Sequence, residues 1–429
     1  MRYLSTRGGG APVDFSAALL RGIAPDGGLY VPEAWPRYTE RAKPGPLPQV
    51  AAEVIAGFVE GDALASRLPE ITADALNFPA SLVELRRSET YVLELFHGPT
   101  AAFKDFGARF LAACVARAAR GDDRALHILV ATSGDTGGAV AAAFHNRSGT
   151  RVSVLYPKGL VSPLQERQLT CWSGNVQAFA VEGTFDDCQR LAKEALADAD
   201  LQQAFALASA NSINVGRLLP QMSYFAATSL AIWNARGVAP SFVIPSGNLG
   251  HATACVWARQ IGLPIGEIVL AHNANRTMPD YLESGAWAPR PSVATLASAM
   301  DVGNPSNAER LRHLFPGVGD LRGAVSAYAI EDEAIRKRIR AGFDEEDQIW
   351  CPHTATAAEA LARHRASGEA SEGPWVIVAT AHPAKFPEVV EPIIGGTVPL
   401  PPALAALGPS LGAVEVAAHL TALKAKFAS

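Results

Sequence analysis

The sequence predicts an α/β fold with mainly parallel sheets flanked by helices. Three observations predict it. Short continuous apolar runs recur at 125–131, 152–156, 176–181, 241–244, 268–271 and 375–379. Such runs are typical of parallel strands buried on both faces. Stretches with helical apolar spacing lie between them. Loops rich in glycine and serine follow two of the strands directly. Repetition of strand, loop and helix in this order argues for parallel sheets. In such folds ligands bind beyond the C-terminal ends of the strands.

Taken in order, residues up to about 87 carry no chemical motif and read as a structural segment. Gly27-Gly28 marks a turn, Pro44, Pro46 and Pro48 mark a loop, and 50–59 reads as a helix. Residues 91–96 read as a strand and 97–100 as a turn. Phe106, Phe110, Leu111, Cys114, Val115 and Ala118 then recur at helical spacing. The run at 125–131 leads into Ser133-Gly134-Asp135-Thr136-Gly137-Gly138, with a helix expected from Ala139. The run at 241–244 leads into Ser246-Gly247-Asn248-Leu249-Gly250, with a helix opening near His251. A chain of 429 residues exceeds one core. The expected division is an N-terminal segment 1–90, a first α/β domain 91–235 and a second 236–429.

Composition narrows the function class. Hydrophobic residues are 48% and charged residues 18%, the balance of a globular protein with a large interior. Net charge is −5 and no basic block stands out, so nucleic acid is not an expected partner. No apolar stretch reaches the roughly 18 residues of a membrane span. The first residues lack the apolar run of a secretory signal. Five cysteines are scattered and never paired as C-x-x-C, so neither zinc nor a disulfide framework is expected. A reducing cytoplasm fits.

The 246–250 loop joins a strand to a helix. Its glycines let backbone approach a ligand, and free N–H groups at a helix start hold an anion. A phosphate is the natural guest; the loop alone is equally compatible with an ordinary turn. The 133–138 loop occupies a similar position, with hydroxyls and N–H groups suited to a carboxylate or a second phosphate. Asp135 there could instead be a helix cap. Two such loops point to a ligand with two anionic ends. Lys104 stands between Phe103 and Phe106. Most lysines are surface residues. Desolvation beside an apolar helix face would lower its pKa toward the neutral amine that Schiff-base chemistry requires.

The segment Leu95-Phe96-His97-Gly98-Pro99-Thr100-Ala101-Ala102-Phe103-Lys104-Asp105-Phe106-Gly107 resembles the cofactor-lysine segment of threonine synthases. Segments 131–137, 156–159, 162–166, 211–214, 245–250 and 380–386 resemble that family in the family's order, and Gly27-Gly28-Leu29-Tyr30-Val31-Pro32 is also similar. The resemblance implies fold type II, with two open sheets, and pyridoxal 5′-phosphate (PLP) as cofactor. It implies a carbon–oxygen lyase acting on a phosphate, converting O-phospho-L-homoserine and water to L-threonine and phosphate. Lys104 matches the lysine that carries PLP. Ser246, Gly247, Asn248, Leu249 and Gly250 match the cradle of its phosphate, and Thr380 the hydroxyl facing the pyridine nitrogen. Asp135 stands where relatives place Asn beside the cofactor's 3′-oxygen. Ser133, Gly134, Thr136 and Gly137 match a substrate-facing loop. Asn211, Ser212 and Asn214 supply polar contacts, and Lys158, Arg217 and Lys385 are candidate cations for the substrate phosphate. His97 and His382 are given no catalytic role. The chain departs from the family at Ala101, Leu249 and Val215-Gly216, which bears on pocket shape. Two other readings share the lysine and glycine loop: a threonine or serine dehydratase, and a non-catalytic PLP-binding homologue. A monomer or homodimer is expected.

Overall fold

The computed structural model describes residues 1–38, 44–86, 89–118 and 124–427. The strands among them are β1 (Tyr3–Ser5), β2 (Tyr30–Pro32), β3 (Ser81–Glu84), β4 (Thr90–Glu94), β5 (Leu126–Ala131), β6 (Thr150–Pro157) and β7 (Val176–Glu182). They continue with β8 (Ala206–Ser209), β9 (Ser241–Pro245), β10 (Ile268–His272), β11 (Ser326–Ala329), β12 (Trp375–Ala379) and β13 (Val414–Ala417). A six-stranded sheet runs β11-β10-β9-β12-β4-β3, and a five-stranded sheet runs β13-β7-β6-β5-β8. All pairs in both sheets are parallel except β3 with β4. β1 and β2 form a separate antiparallel pair.

The apolar runs became the inner strands for the expected reason. Every residue of β5, β9, β10 and β12 is buried. Helices cover both faces, so neither face needs polar alternation. The edge strands β3 and β11 are half-buried or exposed along their length and carry no such run.

Some boundaries differ from the sequence reading. The helix expected at 50–59 spans Leu47–Ala56, with Pro48 inside its first turn rather than in the loop. Proline is tolerated there because the first N–H groups of a helix lack intrahelical partners anyway. The helix expected from Ala139 begins at Asp135. Sheet membership also crosses the division drawn at 90 and 235. β3 and β4 lie in the sheet of β9–β12, while β13 joins the sheet of β5–β8.

The N-terminal segment supports the glycine-loop helix Gly250–Gln260 from below. Trp257 of that helix stacks on Phe58, with centroids 6.2 Å apart and planes at 7°. Arg310, fully buried, donates to Tyr30 O (3.0 Å), Ile213 O (2.7 Å) and Asn307 Oδ1 (2.6 Å). Asn307 Nδ2 in turn donates to Asn248 O at 3.0 Å. One guanidinium therefore ties the β2 strand, the 211–214 segment and the glycine loop together. No described helix is long and apolar enough to cross a membrane.

Candidate active site

A cavity lies where the C-terminal ends of β5, β8, β9 and β12 face the start of the helix after β4. It is lined by Lys104, Ser133, Asp135, Thr136, Asn211, Ser212, Arg217, the whole Ser246–Gly250 loop and Thr380. It shares Gln189 and Val302 with a wider neighbouring groove of about 1140 Å³. The strand-end loops thus meet in one place, as parallel α/β folds dictate.

Lys104 opens the helix Lys104–Val115. The chain reaches it through a tight turn after β4. Gly98 has no room for a side chain, because a Cβ would lie 2.5 Å from Asp105 Oδ2. Asp105 accepts from Thr100 N (2.8 Å) and Thr100 Oγ1 (2.7 Å), clamping that turn to the helix. The segment is also laced to the end of β12. Phe103 N donates to Thr380 O at 2.9 Å and His382 N to Ala101 O at 3.0 Å. Ala101 takes a left-handed φ of 54° to allow this. Lys104 and Thr380 are therefore held on adjacent strand ends.

Lys104 is half-buried, with Nζ 4.3 Å from the Phe103 ring centroid. No side chain among the described residues hydrogen-bonds or ion-pairs with that Nζ. Burial first, then the positive charges of Arg217 and Lys385, push its pKa down to about 8, against the pull of Asp135. A readily available neutral amine follows.

Asp135 is buried and pairs with Lys385 Nζ at 2.6 Å. Gln165 Nε2 donates to the same oxygen at 3.1 Å. Burial opposes its ionisation, but the Lys385 ammonium and these hydrogen bonds hold the carboxyl below its ordinary range. Lys385 also donates to Thr100 O at 3.0 Å.

The glycine loop keeps free donors. Ser246 N donates to Ala271 O (2.8 Å) and its Oγ to Ile244 O (2.8 Å). The N–H groups of Gly247, Asn248 and Leu249 have no backbone acceptor among the described residues. They precede the first turn of an 11-residue helix, where the backbone dipole favours an anion. Leu249, the residue just before that helix, holds a left-handed φ of 59°. Asn248 anchors the loop sideways, Nδ2 donating to Ser212 Oγ at 2.6 Å and Oδ1 accepting from Ser306 N at 2.5 Å. A Cβ on Gly247 would meet Met300 Cα at 2.8 Å and Ala299 O at 3.3 Å. These are backbone atoms and cannot swing away. Gly247→Ala should destabilise the fold by about 1–3 kcal/mol, the usual cost of overpacking, read as a lower denaturation midpoint.

The 133–138 loop offers fewer donors than its sequence implied. Thr132 Oγ1 accepts from Gly134 N (2.9 Å) and Gly137 N (2.8 Å). Neither glycine lines the cavity; both are packing positions, their Cβ sites occupied by Gln165 and by Thr132, Val154 and Leu169. Ser133 and Thr136 do reach it. Asn211 lines the wall while its amide grips both backbone groups of Ala131, donating to O at 2.7 Å and accepting from N at 3.3 Å. Asn214 lies outside the lining. Its amide is engaged by Leu19 O, Ser209 O and Gly216 N at 2.8, 3.0 and 2.8 Å.

The three candidate cations separate. Arg217 is buried on the cavity wall, bonded through Nη1 to Ala210 O, with Nε unpartnered. Burial lowers its pKa to about 10 against the pull of Asp105 and Tyr224, so it stays charged. Gly107 makes room for it: a Cβ there would stand 2.7 Å from Nε. Lys158 is exposed, ion-paired to Glu415 at 2.7 Å, and outside the lining. Lys385 is turned onto Asp135.

The sequence reading missed His251, His353, Gln189 and Gln221, all on the cavity wall. His353 accepts from Ala299 N at 3.1 Å, and burial pushes its pKa down to about 4. It comes from a helix start some 250 positions beyond Lys104 and no motif announces it. His251 adjoins the glycine loop and served only to mark the helix start.

Comparison with known proteins bears on the family and the fold. The profile of a family described as pyridoxal-phosphate dependent enzyme matches residues 75–381. Profiles described as threonine synthase N terminus and threonine synthase, C-terminal, match 2–76 and 354–426. A threonine synthase of Haemophilus influenzae is 41% identical over 396 residues, covering 91% of each chain. The crystal structure of threonine synthase from Escherichia coli superposes with a TM-score of 0.90 at 35% identity, covering 100% of this chain and 99% of that one. The PLP-bound threonine synthase from Brucella melitensis gives a TM-score of 0.88 at 34% identity, over 99% and 98%.

Proposed function

The chain belongs to the threonine synthase family of PLP-dependent enzymes, and from that premise we propose its substrate and the residues that act on it. Its activity is that of a PLP-dependent lyase of threonine biosynthesis. The substrate we propose is O-phospho-L-homoserine, converted with water to L-threonine and phosphate. One observation carries this reading: a single cavity combines the Lys104 amine with two separate sets of free anion donors. The first set is the Gly247–Leu249 N–H row, and the second is the Arg217 guanidinium, whose Nε has no partner among the described residues. Two phosphates need two such sets.

The residues present fit the cofactor. The free N–H row suits its phosphate, the Lys104 amine its carbonyl carbon, and the Thr380 hydroxyl its ring nitrogen. When bound, PLP supplies an electron sink for negative charge at the substrate carbons. The remaining roles belong to the chain. Neutral Lys104 takes the Cα proton and, once that is passed on, a Cβ proton whose loss lets phosphate leave from Cγ. As the ammonium it returns a proton at Cγ. After the hydroxyl of water has added at Cβ, a proton returns to Cα, and the remaining water proton leaves with the phosphate. Ser133 and Thr136 hold the substrate carboxylate, and Arg217 holds the departing phosphate. Asp135 is half of a neutral pair with Lys385, so it would face the cofactor's 3′-oxygen without the repulsion a lone carboxylate would cause. Thr380, as a neutral hydroxyl, leaves the ring nitrogen without an enforced proton.

The test is release of inorganic phosphate from O-phospho-L-homoserine with threonine formed. Deamination of serine or threonine without phosphate release would overturn the reading. Arg217→Met should lower kcat/KM by about 10- to 150-fold, the worth of one hydrogen bond to a charged group. The visible absorbance of bound PLP should be unchanged in that variant. A cytoplasmic location is part of the same proposal, supported by five cysteines that are all unpaired. So is a monomer or homodimer.

A further inference from the structure

His251 is the second residue of the helix Gly250–Gln260 and lines the cavity at the glycine loop. It is 5% exposed, and neither ring nitrogen has a partner among the described residues. Its surroundings are aromatic. It stacks on Phe103 with centroids 4.4 Å apart and planes at 19°, and meets Tyr224 and Phe225 at 5.5 and 5.2 Å. Packing alone would favour phenylalanine at such a position, since a buried imidazole with no hydrogen bond is penalised for both nitrogens. A polar ring on the cavity wall with both nitrogens unpartnered, at a helix start already rich in free N–H groups, asks for an anionic partner.

We propose that His251 donates a ring N–H to the phosphate of the cofactor, adding a side-chain donor to the backbone cradle of Gly247–Leu249. The inference rests on the reading that this loop holds that phosphate. His251 is a positioning residue and takes no part in proton transfer. Burial first, then the nearby Lys104 charge, keep its pKa well below the ordinary histidine range, so the ring is neutral and carries a single N–H. In the empty cavity one ring nitrogen is thus a donor and the other an acceptor.

The experiment titrates apo-enzyme with PLP and, separately, with pyridoxal, which lacks the phosphate. The proteins are the unaltered chain, His251→Phe, His251→Asn and His251→Gln. His251→Phe should bind PLP about tenfold more weakly, with pyridoxal affinity unchanged. At the same time its apo form should melt at a higher temperature, because two unpartnered nitrogens are gone. At least one amide variant, which keeps an N–H donor, should bind PLP within about threefold of the unaltered chain. Unchanged PLP affinity in His251→Phe would overturn the proposal. So would equal losses for PLP and pyridoxal, or amide variants as weak as the phenylalanine one. If the unaltered chain itself bound PLP and pyridoxal equally, the loop assignment beneath the proposal would fail instead.

Discussion

Lys104→Ala should lower turnover of O-phospho-L-homoserine by at least about 10³-fold, within the range attributed to a positioned acid–base group. The loss should be one of chemistry and not of folding. Lys104 Nζ makes no hydrogen bond or ion pair with the described side chains, so removing it breaks no internal contact of that kind. It also removes a desolvated cation that stands beside Arg217 and Lys385, a crowding visible in its pKa of about 8. The denaturation midpoint of the apo-enzyme should therefore stay level or rise slightly. Two measurements separate the outcomes: phosphate release under saturating substrate, and mass spectrometry of borohydride-reduced protein. The label should sit on Lys104 in the unaltered chain. Turnover within tenfold of normal in the alanine variant, or a label on another lysine, would refute the assignment.

The fold was legible in the sequence wherever burial alone writes the pattern. The runs at 126–131 and 375–379 are buried on both faces and contain no polar alternation to confuse them with amphipathic elements. The strands β1, β2, β3, β8, β11 and β13 are three or four residues long. So short a stretch shows no period, and pairing with distant partners decides it. For the same reason, β13 joining β7 could not be read from its neighbours in the chain.

The site was legible where one short segment carries the functional atoms. The glycine loop and the Lys104 segment each do so, although long-range bonds to Ser212, Ser306 and Thr380 hold those segments in place. Partnerships across long sequence separations were not legible. Lys385 lies 250 residues from the carboxylate it neutralises, and Lys158 finds its partner at Glu415. Both lysines look alike in sequence as free cations near matched motifs. Only the exposure of one and the full burial of the other tell them apart. The N–H groups of Gly134 and Gly137 were counted as free because nothing local shows that Thr132 Oγ1 reaches back to accept both. His251 was missed because its significance lies in having no partner, which only three dimensions reveal.

Lys385→Met should destabilise the protein by about 3–5 kcal/mol, the range seen when one member of a buried ion pair is removed. The penalty comes from Asp135, left buried with Gln165 as its remaining side-chain donor. Thr100 O also loses a donor, in the turn that leads to Lys104. The pH dependence gives the sign. In the unaltered chain Lys385 keeps the Asp135 pKa below its unfolded value, despite burial. That contribution is complete above the unfolded pKa of about 4 and is lost only as pH falls through the folded value, so it is flat between pH 5 and 8. In Lys385→Met, burial acts unopposed by the ammonium and the Asp135 pKa rises above its unfolded value. The variant then gains stability as pH falls from 8 toward 5, because the carboxyl can protonate in place. Denaturant titrations at pH 5.5 and 8 measure the difference. Asp135→Asn combined with Lys385→Met should recover most of the loss at pH 8, since the uncompensated charge is gone. The alternative role for Lys385, as a cation for the substrate phosphate, makes the opposite forecast. It requires a raised KM in Lys385→Met with stability unchanged at both pH values, and that result would dismantle the assignment of Lys385 to Asp135.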